Sequence, residues 1–443
     1  MKGFDRLFVC HKTDNIGKCG QYLAGLFHDC KSNIERMAER VPDSDYQQLQ
    51  HFISESPWDG LAVMHKVAEK VDQTLRLCKP AARGTLPGLG ASRGLLLDES
   101  GWEKSGKKSV GVARQYIGQV GKVANGQVGV FAALCCGGQV GLLQGRLYLP
   151  REWAGDAKRC EKAGIPEAER AYRTKPGLAA GIIGSLPEAV AYDWVGGDSI
   201  YGNSPFLRQY LYGREQAFVM DVGEELGVYL AEPQVHVPGK ATGKGRTPTR
   251  YACDEKPVQA KHLARQIPEA EWKAIGHRQG AKGALVRRAA MLDVWLWKPE
   301  QGAGVEKCQL LISTEVDCSE VKHSLCYQPG GKMPLETALF RQMQRYWIER
   351  AFQNVKEQLG LHQYQVRSWN AWLHHVALSL MALHFAMETQ VENQEEMPLL
   401  SVPDIKLIFA KTLQNKLDSH EGVMRAINVR HQQRQADIDR FLK

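Results

Sequence analysis

The feature that most constrains the fold is a change from helical to strand-like texture near residue 94. Three β-rich runs separated by glycine-containing turns follow it: GLLLDES, SVGVARQYIG and QVGVFAALCCGGQVGLLQGRLYLP. These runs predict an antiparallel meander. Further along the chain, helical segments alternate with AYDWVGGDSIYG and QAFVMDV, which we interpret as two more strands. This mixture predicts an α/β fold in which a sheet carries helices on its faces.

The chain divides into five predicted parts. Residues 1–90 have apolar side chains at helical spacing and end in a linker rich in Pro and Gly, which predicts an all-α N-terminal domain. The sheet starts in 91–224 and is followed by 225–335, an inserted β-rich basic region in which MLDVWLWKP and CQLLISTEV predict a strand pair. We expect the last core helices in 336–390 and a helical tail in 391–443.

Composition and charge narrow the class of protein. A chain of 443 residues is larger than one ordinary core, and its net charge of +8 is compatible with a polyanionic partner. No apolar run approaches the roughly 18–20 residues of a membrane span, and the N-terminus has no signal-like apolar stretch. We therefore expect a cytoplasmic protein. The eleven cysteines form no Cys-x-x-Cys pair and are odd in number, which argues against a disulfide framework.

Two groups of residues invite a metal-binding interpretation that the sequence does not favour. The group of Cys318, His323 and Cys326 lacks a fourth ligand at regular spacing, so a zinc site is not expected there. Three histidines lie in an apolar helix and are interpreted as packed or surface groups rather than ligands. They are His374, His375 and His384.

The stretch QMQRYWIERAFQNVKEQLG, residues 342–360, predicts one amphipathic helix. Its core-facing stripe consists of apolar residues at spacings of 3, 4 and 4: Ile348, Ala351, Val355 and Leu359. Arg345, Glu349 and Lys356 share a separate, narrow face. The simplest interpretation of that face is a solvated surface with an Arg/Glu pair, so a functional role requires partners elsewhere in the chain.

Two aspartates follow apolar strand runs. Asp98 and Asp198 are both predicted at strand ends, where side chains can converge at one edge of a sheet. Glu349 would add a third acid from a helix packed on that sheet. Three such carboxylates can hold two divalent cations ~3.5–4 Å apart for phosphodiester chemistry, and Mg²⁺ suits them. Singly, each aspartate is more often a helix cap or turn former, but this order of strands, insertion and helix is typical of an RNase H-like catalytic domain.

The charged helix and the two aspartates resemble the DDE transposases of bacterial insertion sequences, in the group with a Tyr-x2-Arg-x3-Glu-x6-Lys motif. Arg345, Glu349 and Lys356 match that motif, whereas Gln342 stands at the tyrosine position and Tyr346 is out of register. The resemblance covers about residues 45–385. It includes, in order, LLLDESGWEKSGKKSVGVARQY, LYLPREWAGD, WVGGDSIYGNSPFLRQYL and YWIERAFQNVKEQLGLHQYQVRSWNAW.

The resemblance implies that Asp98, Asp198 and Glu349 are catalytic metal ligands for two Mg²⁺ ions, with Mn²⁺ as an alternative ion. Arg345 and Lys356 would contact DNA phosphates. The implied activity is cut-and-paste transposition by a homodimer on double-stranded DNA, both transposon terminal repeats and target, with a helical N-terminal domain that binds DNA. Two alternatives stay open: a catalytically silent DNA-binding relative, and an RNase H-like nuclease without strand transfer.

Two basic clusters extend the predicted DNA surface. The first follows Asp98 and consists of Lys104, Lys107, Lys108 and Arg114. Alone it would be interpreted as a solvated hairpin, but beside a metal site phosphate binding is the better interpretation. The second cluster lies in the inserted region and consists of His277, Arg278, Lys282, Arg287 and Arg288. The resemblance implies that this region lies over the active site and grips the transposon end.

Overall fold

The computed structural model describes residues 3–10, 13–28, 31–78, 91–239, 248–280, 283–317 and 320–442. Its α-helices are α1 (Ile16–Phe27), α2 (Ile34–Arg40), α3 (Tyr46–Ser54), α4 (Gly60–Leu77), α5 (Arg151–Ala154), α6 (Ala157–Lys162), α7 (Lys175–Ser185), α8 (Ser199–Gly202), α9 (Pro205–Tyr212), α10 (Ala260–Leu263), α11 (Leu335–Met343), α12 (Tyr346–Glu357), α13 (Trp369–Glu392), α14 (Val402–Thr412) and α15 (His420–Phe441).

Its strands are β1 (Val9–Cys10), β2 (Thr13–Asp14), β3 (Gly94–Glu103), β4 (Ala113–Ile117), β5 (Lys122–Cys136), β6 (Gln139–Leu147), β7 (Trp194–Gly197), β8 (Phe218–Val222), β9 (Gly227–Val228), β10 (Val235–His236), β11 (Ala252–Cys253), β12 (Val258–Gln259), β13 (Lys273–Gly280), β14 (Gly283–Leu296), β15 (Glu306–Glu315) and β16 (Val321–Tyr327).

One large mixed sheet organises the molecule, in the order β13-β14-β15-β16-β8-β7-β3-β5-β4, with β6 also paired to β5. The pairs β3/β7 and β7/β8 are parallel, and the other pairs of this sheet are antiparallel. Helices flank the sheet, so the predicted α/β class with a mixed sheet is confirmed.

The parallel pairing of β3 with β7 ends at Leu97 and Gly197, so Asp98 and Asp198 are the next residues on both sides. The prediction that β3 ends at Asp98 is wrong. The strand runs on to Glu103 because β5 continues to pair with it, down to the register of Glu103 with Gly126. Asp98 therefore lies within a strand. Its backbone is held by β5 on one side and is past the end of the β7 pairing on the other.

The predicted strand pair in the inserted region corresponds to β14 and β15, which pair antiparallel. Strands β13–β16 continue the large sheet, because β16 pairs with β8 of the core, whereas β9 with β12 and β10 with β11 form two small separate sheets. This pairing satisfies backbone groups that β8 would otherwise leave open at its edge. The inserted region thereby extends the sheet that carries the two aspartates.

The single helix predicted over residues 342–360 is two helices. The backbone N–H of Gln344 donates to the carbonyls of both Phe340 and Arg341, at 3.2 Å each, which is the tightening typical of a helix end. Gln342 therefore belongs to α11, and Arg345 precedes the first turn of α12. The predicted apolar stripe is buried as expected: Ile348, Ala351, Val355 and Leu359 are each 0% exposed.

The N-terminal helices pack on the rest of the protein rather than standing apart. Helices α1, α3 and α4 contact the long helix α13, and α4 also contacts β6. One continuous cluster of buried apolar side chains includes residues of these helices and of the sheet. In the described part of the chain, no helix is both long and apolar enough to span a bilayer. Residues 79–90 of the predicted linker, residues 240–247 of the inserted region, Lys282 and Cys318 lie outside the described residues.

Candidate active site

Three carboxylates meet where the β3/β7 pairing stops. Asp98, Glu99 and Asp198 each offer one carboxylate oxygen, and these oxygens all lie within 4.8 Å of one another. We call this group the carboxylate cluster. All three residues are half-buried. The structure thus brings Asp98 and Asp198 together and adds Glu99, which the sequence analysis missed.

Local contacts fix each member of the carboxylate cluster. An oxygen of Asp98 accepts from the backbone N–H of Glu99 at 2.8 Å. Asp198 caps α8 and accepts from the N–H of Ile200 at 2.9 Å, so the capping role weighed for it coexists with its place in the cluster. Glu99 accepts from Lys175 Nζ at 2.8 Å and from the Tyr201 hydroxyl at 3.3 Å.

The surroundings of the carboxylate cluster disfavour free negative charge. Burial, with the neighbouring Asp198, raises the pKa of Asp98 to about 8. Burial also raises the pKa of Asp198, and the charge of Glu99 adds to that effect. A bound cation relieves the same repulsion, and oxygen-only donors at this separation suit a hard divalent ion of the Mg²⁺ or Mn²⁺ type. The donor set therefore fits the metal that the sequence predicts.

Glu349 lies outside the carboxylate cluster, and its side chain is 53% exposed. One oxygen pairs with Arg345 Nη2 at 3.1 Å, while Arg345 Nε pairs with Asp221 at 3.2 Å. Burial alone would lower the pKa of Arg345, but surrounding carboxylates outweigh it and the pKa is raised. These carboxylates are Asp221, Asp98, Glu349 and Asp198. The guanidinium of Arg345 thus links Glu349 electrostatically to the carboxylate cluster.

Lys356 reaches β3 three residues beyond Asp98. Its Nζ donates to the carbonyl of Gly101 at 3.1 Å and to Gln119 Oε1 at 3.4 Å. Burial lowers the pKa of Lys356 to about 8, and the charge of Asp98 partly opposes this. Lys356, on the charged face predicted for this helix, therefore contacts β3, the strand that carries Asp98.

The first basic cluster divides into an internal and an external part. Lys104 donates to the carbonyl of Tyr364 at 2.8 Å and lies 3.6 Å above its ring, and burial lowers its pKa to about 8. Lys107, Lys108 and Arg114 are exposed. Both exposed lysines line a cleft of about 1040 Å³ between the β3 loop, α2, α3 and the segment before α13. Only this external part is free to contact a large ligand.

The second basic cluster also divides. A cavity of about 260 Å³ brings His277, Arg278 and Arg287 to the face that carries Arg345 and Glu349. Arg278 lies 4.1 Å from the ring of Tyr346, and burial lowers the pKa of His277 to about 4.

The two arginines of β14 are already engaged in ion pairs. Arg287 is buried and pairs with Glu315 at 2.5 Å and with Glu320 at 3.1 Å. Arg288 pairs with Glu269 at 2.6 Å. Of the described residues of this cluster, Arg278 therefore fits the predicted DNA contact best, because His277 is buried and the two arginines of β14 are held in ion pairs.

Asp221 is the second acid that the sequence analysis missed. It lies on β8, where Ser324 donates to one oxygen at 2.6 Å and Arg345 pairs with the other. An acidic residue inside the apolar run AFVMDV was an available signal. For Glu99 the signal was weaker, because alternation along a strand would direct its side chain away from that of Asp98.

Comparison with known proteins assigns the chain to a family. The model of the DDE superfamily endonucleases matches residues 6–284, more than half of the chain. The chain belongs to the DDE superfamily endonucleases. The match contains Asp98, Asp198 and Asp221 and ends before α12, so Arg345 and Glu349 lie beyond it.

The chain is also similar to a curated protein and, more weakly, to a solved structure. The chain is 34% identical over 190 residues to a probable transposase for insertion sequence element IS701 from Microchaete diplosiphon, a match that covers 42% of this chain and 43% of that protein. The chain thus spans under half the length of this relative. A cryo-EM structure of a piggyBac transposase synaptic complex with hairpin DNA matches with a TM-score of 0.34 and 10% identity, over 72% of this chain and 52% of that one.

Proposed function

We propose that this DDE superfamily endonuclease is a transposase that cuts DNA at transposon ends and joins the freed 3′-hydroxyl to target DNA. The observation that carries the proposal is the carboxylate cluster beside the Arg345/Glu349 pair, at the point where β3 and β7 separate. The family membership and the transposase relative support it. The mixed sheet is then an RNase H-like core, with β13–β16 as its insertion.

The metal ligands would be Asp98 and Asp198, with Glu99 beside them and Glu349 recruited from its pair with Arg345. Two Mg²⁺ or Mn²⁺ ions bound there supply activation of the attacking oxygen and stabilisation of the leaving oxygen. Glu349 is half exposed and paired with Arg345, so its carboxylate would leave that pair to join the metal ligands. Lys175 and Tyr201 hold Glu99 in place.

The chain's own cations would hold the DNA. Lys356 lies against β3 beside Asp98 and would bind a phosphate next to the scissile bond. Lys107, Lys108 and Arg114 would contact the backbone of the duplex farther out, where contacts set position and affinity rather than sequence preference. Arg278 would contact the DNA end from the insertion, beside the buried His277.

Two ends of an element must be handled together, which favours a homodimer assembled on double-stranded DNA. Residues 1–90 would contribute to recognition of the terminal repeats. Action on chromosomal DNA implies a cytoplasmic protein that associates with the nucleoid when bound.

The test compares purified wild type with Glu349→Gln. Both proteins are incubated with Mg²⁺, a target plasmid and a duplex taken from the DNA that flanks the gene, and cleavage and end joining are scored separately. Glu357→Gln is the matched control because Glu357 is exposed on the same helix. We expect wild type and the control to cleave and join, and Glu349→Gln to bind the duplex without doing either.

The two alternative functions predict different results in the same assay. Binding without cleavage by wild type would indicate a silent DNA-binding relative. Cleavage without joining would indicate a nuclease that lacks strand transfer. Full activity in Glu349→Gln would remove Glu349 from the proposed site.

A further inference from the structure

A buried chain of hydrogen bonds crosses the sheet and ends at Asp221. The Ser313 hydroxyl on β15 donates to Gln342 Oε1 at 2.6 Å, and Gln342 Nε2 donates to the Ser324 hydroxyl on β16 at 2.7 Å. Ser324 in turn donates to Asp221 Oδ1 at 2.6 Å. Ser313 and Ser324 are 0% exposed and Gln342 is 4% exposed. Because the Asp221 carboxylate only accepts, Ser324 spends its one proton there and accepts from Gln342 Nε2, which leaves Gln342 Oε1 to accept from Ser313.

The other oxygen of Asp221 binds Arg345. Arg345 Nε lies 3.2 Å from Asp221 Oδ2, and the same guanidinium reaches Glu349 through Nη2 at 3.1 Å. A guanidinium is planar, so an anchored Nε fixes the direction in which the other nitrogens point. Asp221 and Glu349 together hold this cation beside the carboxylate cluster, whose members also attract it.

An arginine so close to the carboxylate cluster is a potential competitor for it. Asp221 and Asp198 each follow a residue of the β7/β8 pair Gly197–Met220, so an Arg345 guanidinium held by Asp221 lies one strand away from Asp198. A guanidinium released from Asp221 therefore has the carboxylates of the cluster as alternative partners. A guanidinium paired with the cluster would occupy the oxygens that a divalent cation needs. An Arg345 side chain held on Asp221 would therefore leave those oxygens available to a metal ion.

We propose that Asp221 is a positioning residue that keeps Arg345 off the carboxylate cluster and so leaves the cluster open to a divalent cation. Gln342, at the tyrosine position of the motif, contributes through Ser324 by orienting Asp221. The inference rests on the proposed function in one respect, that the cluster holds metal. It assigns a role to a residue outside that cluster and explains why a buried amide stands where relatives of this group carry tyrosine.

The test measures Mn²⁺ binding to the full chain by electron paramagnetic resonance of free Mn²⁺, without DNA and without any activity measurement. Asp221→Asn preserves shape and removes charge. We expect it to weaken Mn²⁺ binding by about 10–100-fold, the range typical of residues that orient a metal site from outside it. Asp293→Asn is the matched control, because Asp293 lies on β14 of the same sheet and pairs with Lys332, and it should bind Mn²⁺ as wild type does.

A second variant separates positioning from a general loss of structure. The double variant Asp221→Asn/Arg345→Gln lacks the competing cation, so its Mn²⁺ affinity should return to that of Arg345→Gln alone. A role in folding alone would leave the double variant as weak as Asp221→Asn or weaker. Ser324→Ala, a milder change, should weaken binding in the same direction and by less. Thermal unfolding of each variant checks that it is folded.

The outcomes distinguish this inference from the proposed function. Wild type that binds no Mn²⁺ would refute the metal centre and the inference with it. Wild-type binding that is unchanged in Asp221→Asn, or a double variant that shows no recovery, would overturn the positioning role and leave the proposed transposase untouched.

Discussion

Arg208 and Glu306 form a two-pronged ion pair inside the protein. Arg208 Nε and Nη2 lie 2.9 and 3.2 Å from the two Glu306 oxygens, and the side chains are 3% and 8% exposed. Arg208 Nη1 also donates to the carbonyl of Gly202 at 2.6 Å. The pair connects α9 with β15, and the bond to Gly202 adds α8, so the inserted strands are attached to the helix that Asp198 caps.

Loss of one partner of this pair leaves a buried charge without compensation. We expect Glu306→Ala to lower the free energy of unfolding by roughly 3–5 kcal/mol. Glu421→Ala breaks an exposed pair with Arg425, whose side chains are 84% and 75% exposed, and should cost at most about 0.5 kcal/mol. Denaturant unfolding of both variants measures the difference, and equal small losses would contradict the prediction.

Gly202 is required by close packing rather than by backbone conformation. A Cβ atom there would lie 2.0 Å from the carbonyl oxygen of Asp221, so β8 and α8 would have to separate. We expect Gly202→Ala to destabilise the protein by about 1–3 kcal/mol. Gly181→Ala is the control, because nothing lies within 4 Å of its added Cβ in α7, and it should stabilise by about 0.5–1 kcal/mol. Thermal or denaturant unfolding that ranks the two variants the other way would refute this account of Gly202.

The buried histidines of α13 make stability depend on pH. Burial lowers the pKa of His375 to about 3 and that of His384 to about 4, from 6.5. Between the folded and the unfolded pKa values the unfolded chain binds more protons, so stability falls as pH drops below 6.5 and is retained above it. For His375 alone the loss at pH 5 is roughly 2 kcal/mol.

Denaturant unfolding at pH 7 and pH 5 measures this loss. His375→Gln should reduce the difference between the two pH values, whereas His420→Gln, on exposed α15, should leave it as in wild type. An unchanged difference in His375→Gln would exclude His375 as its source.

The exposed lysines after β3 should contribute to DNA affinity through phosphates. We expect Lys107→Ala/Lys108→Ala to weaken duplex binding for every sequence tested and to reduce the slope of log affinity against log salt by about 2. The control Lys298→Ala/Lys307→Ala removes two charges at the far end of β14 and β15. Fluorescence anisotropy across a salt series measures both slopes, and equal changes would show that net charge alone is responsible.

Local sequence signals predicted which helices and strands carry the site residues better than they predicted which side chains those residues contact. The stripe of Ile348, Ala351 and Val355 predicted the packing of α12, because helical periodicity is a local property. Strand texture before Asp98 and Asp198 predicted aspartates at one edge of the sheet, although β3 runs past Asp98 because pairing with β5 is a long-range property.

The acids that sequence reasoning missed depend on contacts between distant segments. Glu99 enters the cluster because Lys175 and Tyr201 hold it there, and neither lies near it in the chain. Asp221 is distinguished from an ordinary strand residue only by Ser324 and Arg345. Such partners have no periodic signature, so the fold has to be known before they can be found.

The pairing of β16 with β8 has a consequence for how this protein can diversify. Because that ladder joins β13–β16 to the strand that carries Asp221, the hairpin of β13 and β14 continues the same sheet. Under the proposed function, substitutions at the outer end of this hairpin would alter its contact with DNA and leave the strands that carry the acids unchanged. DNA preference and chemistry would then change separately within one sheet.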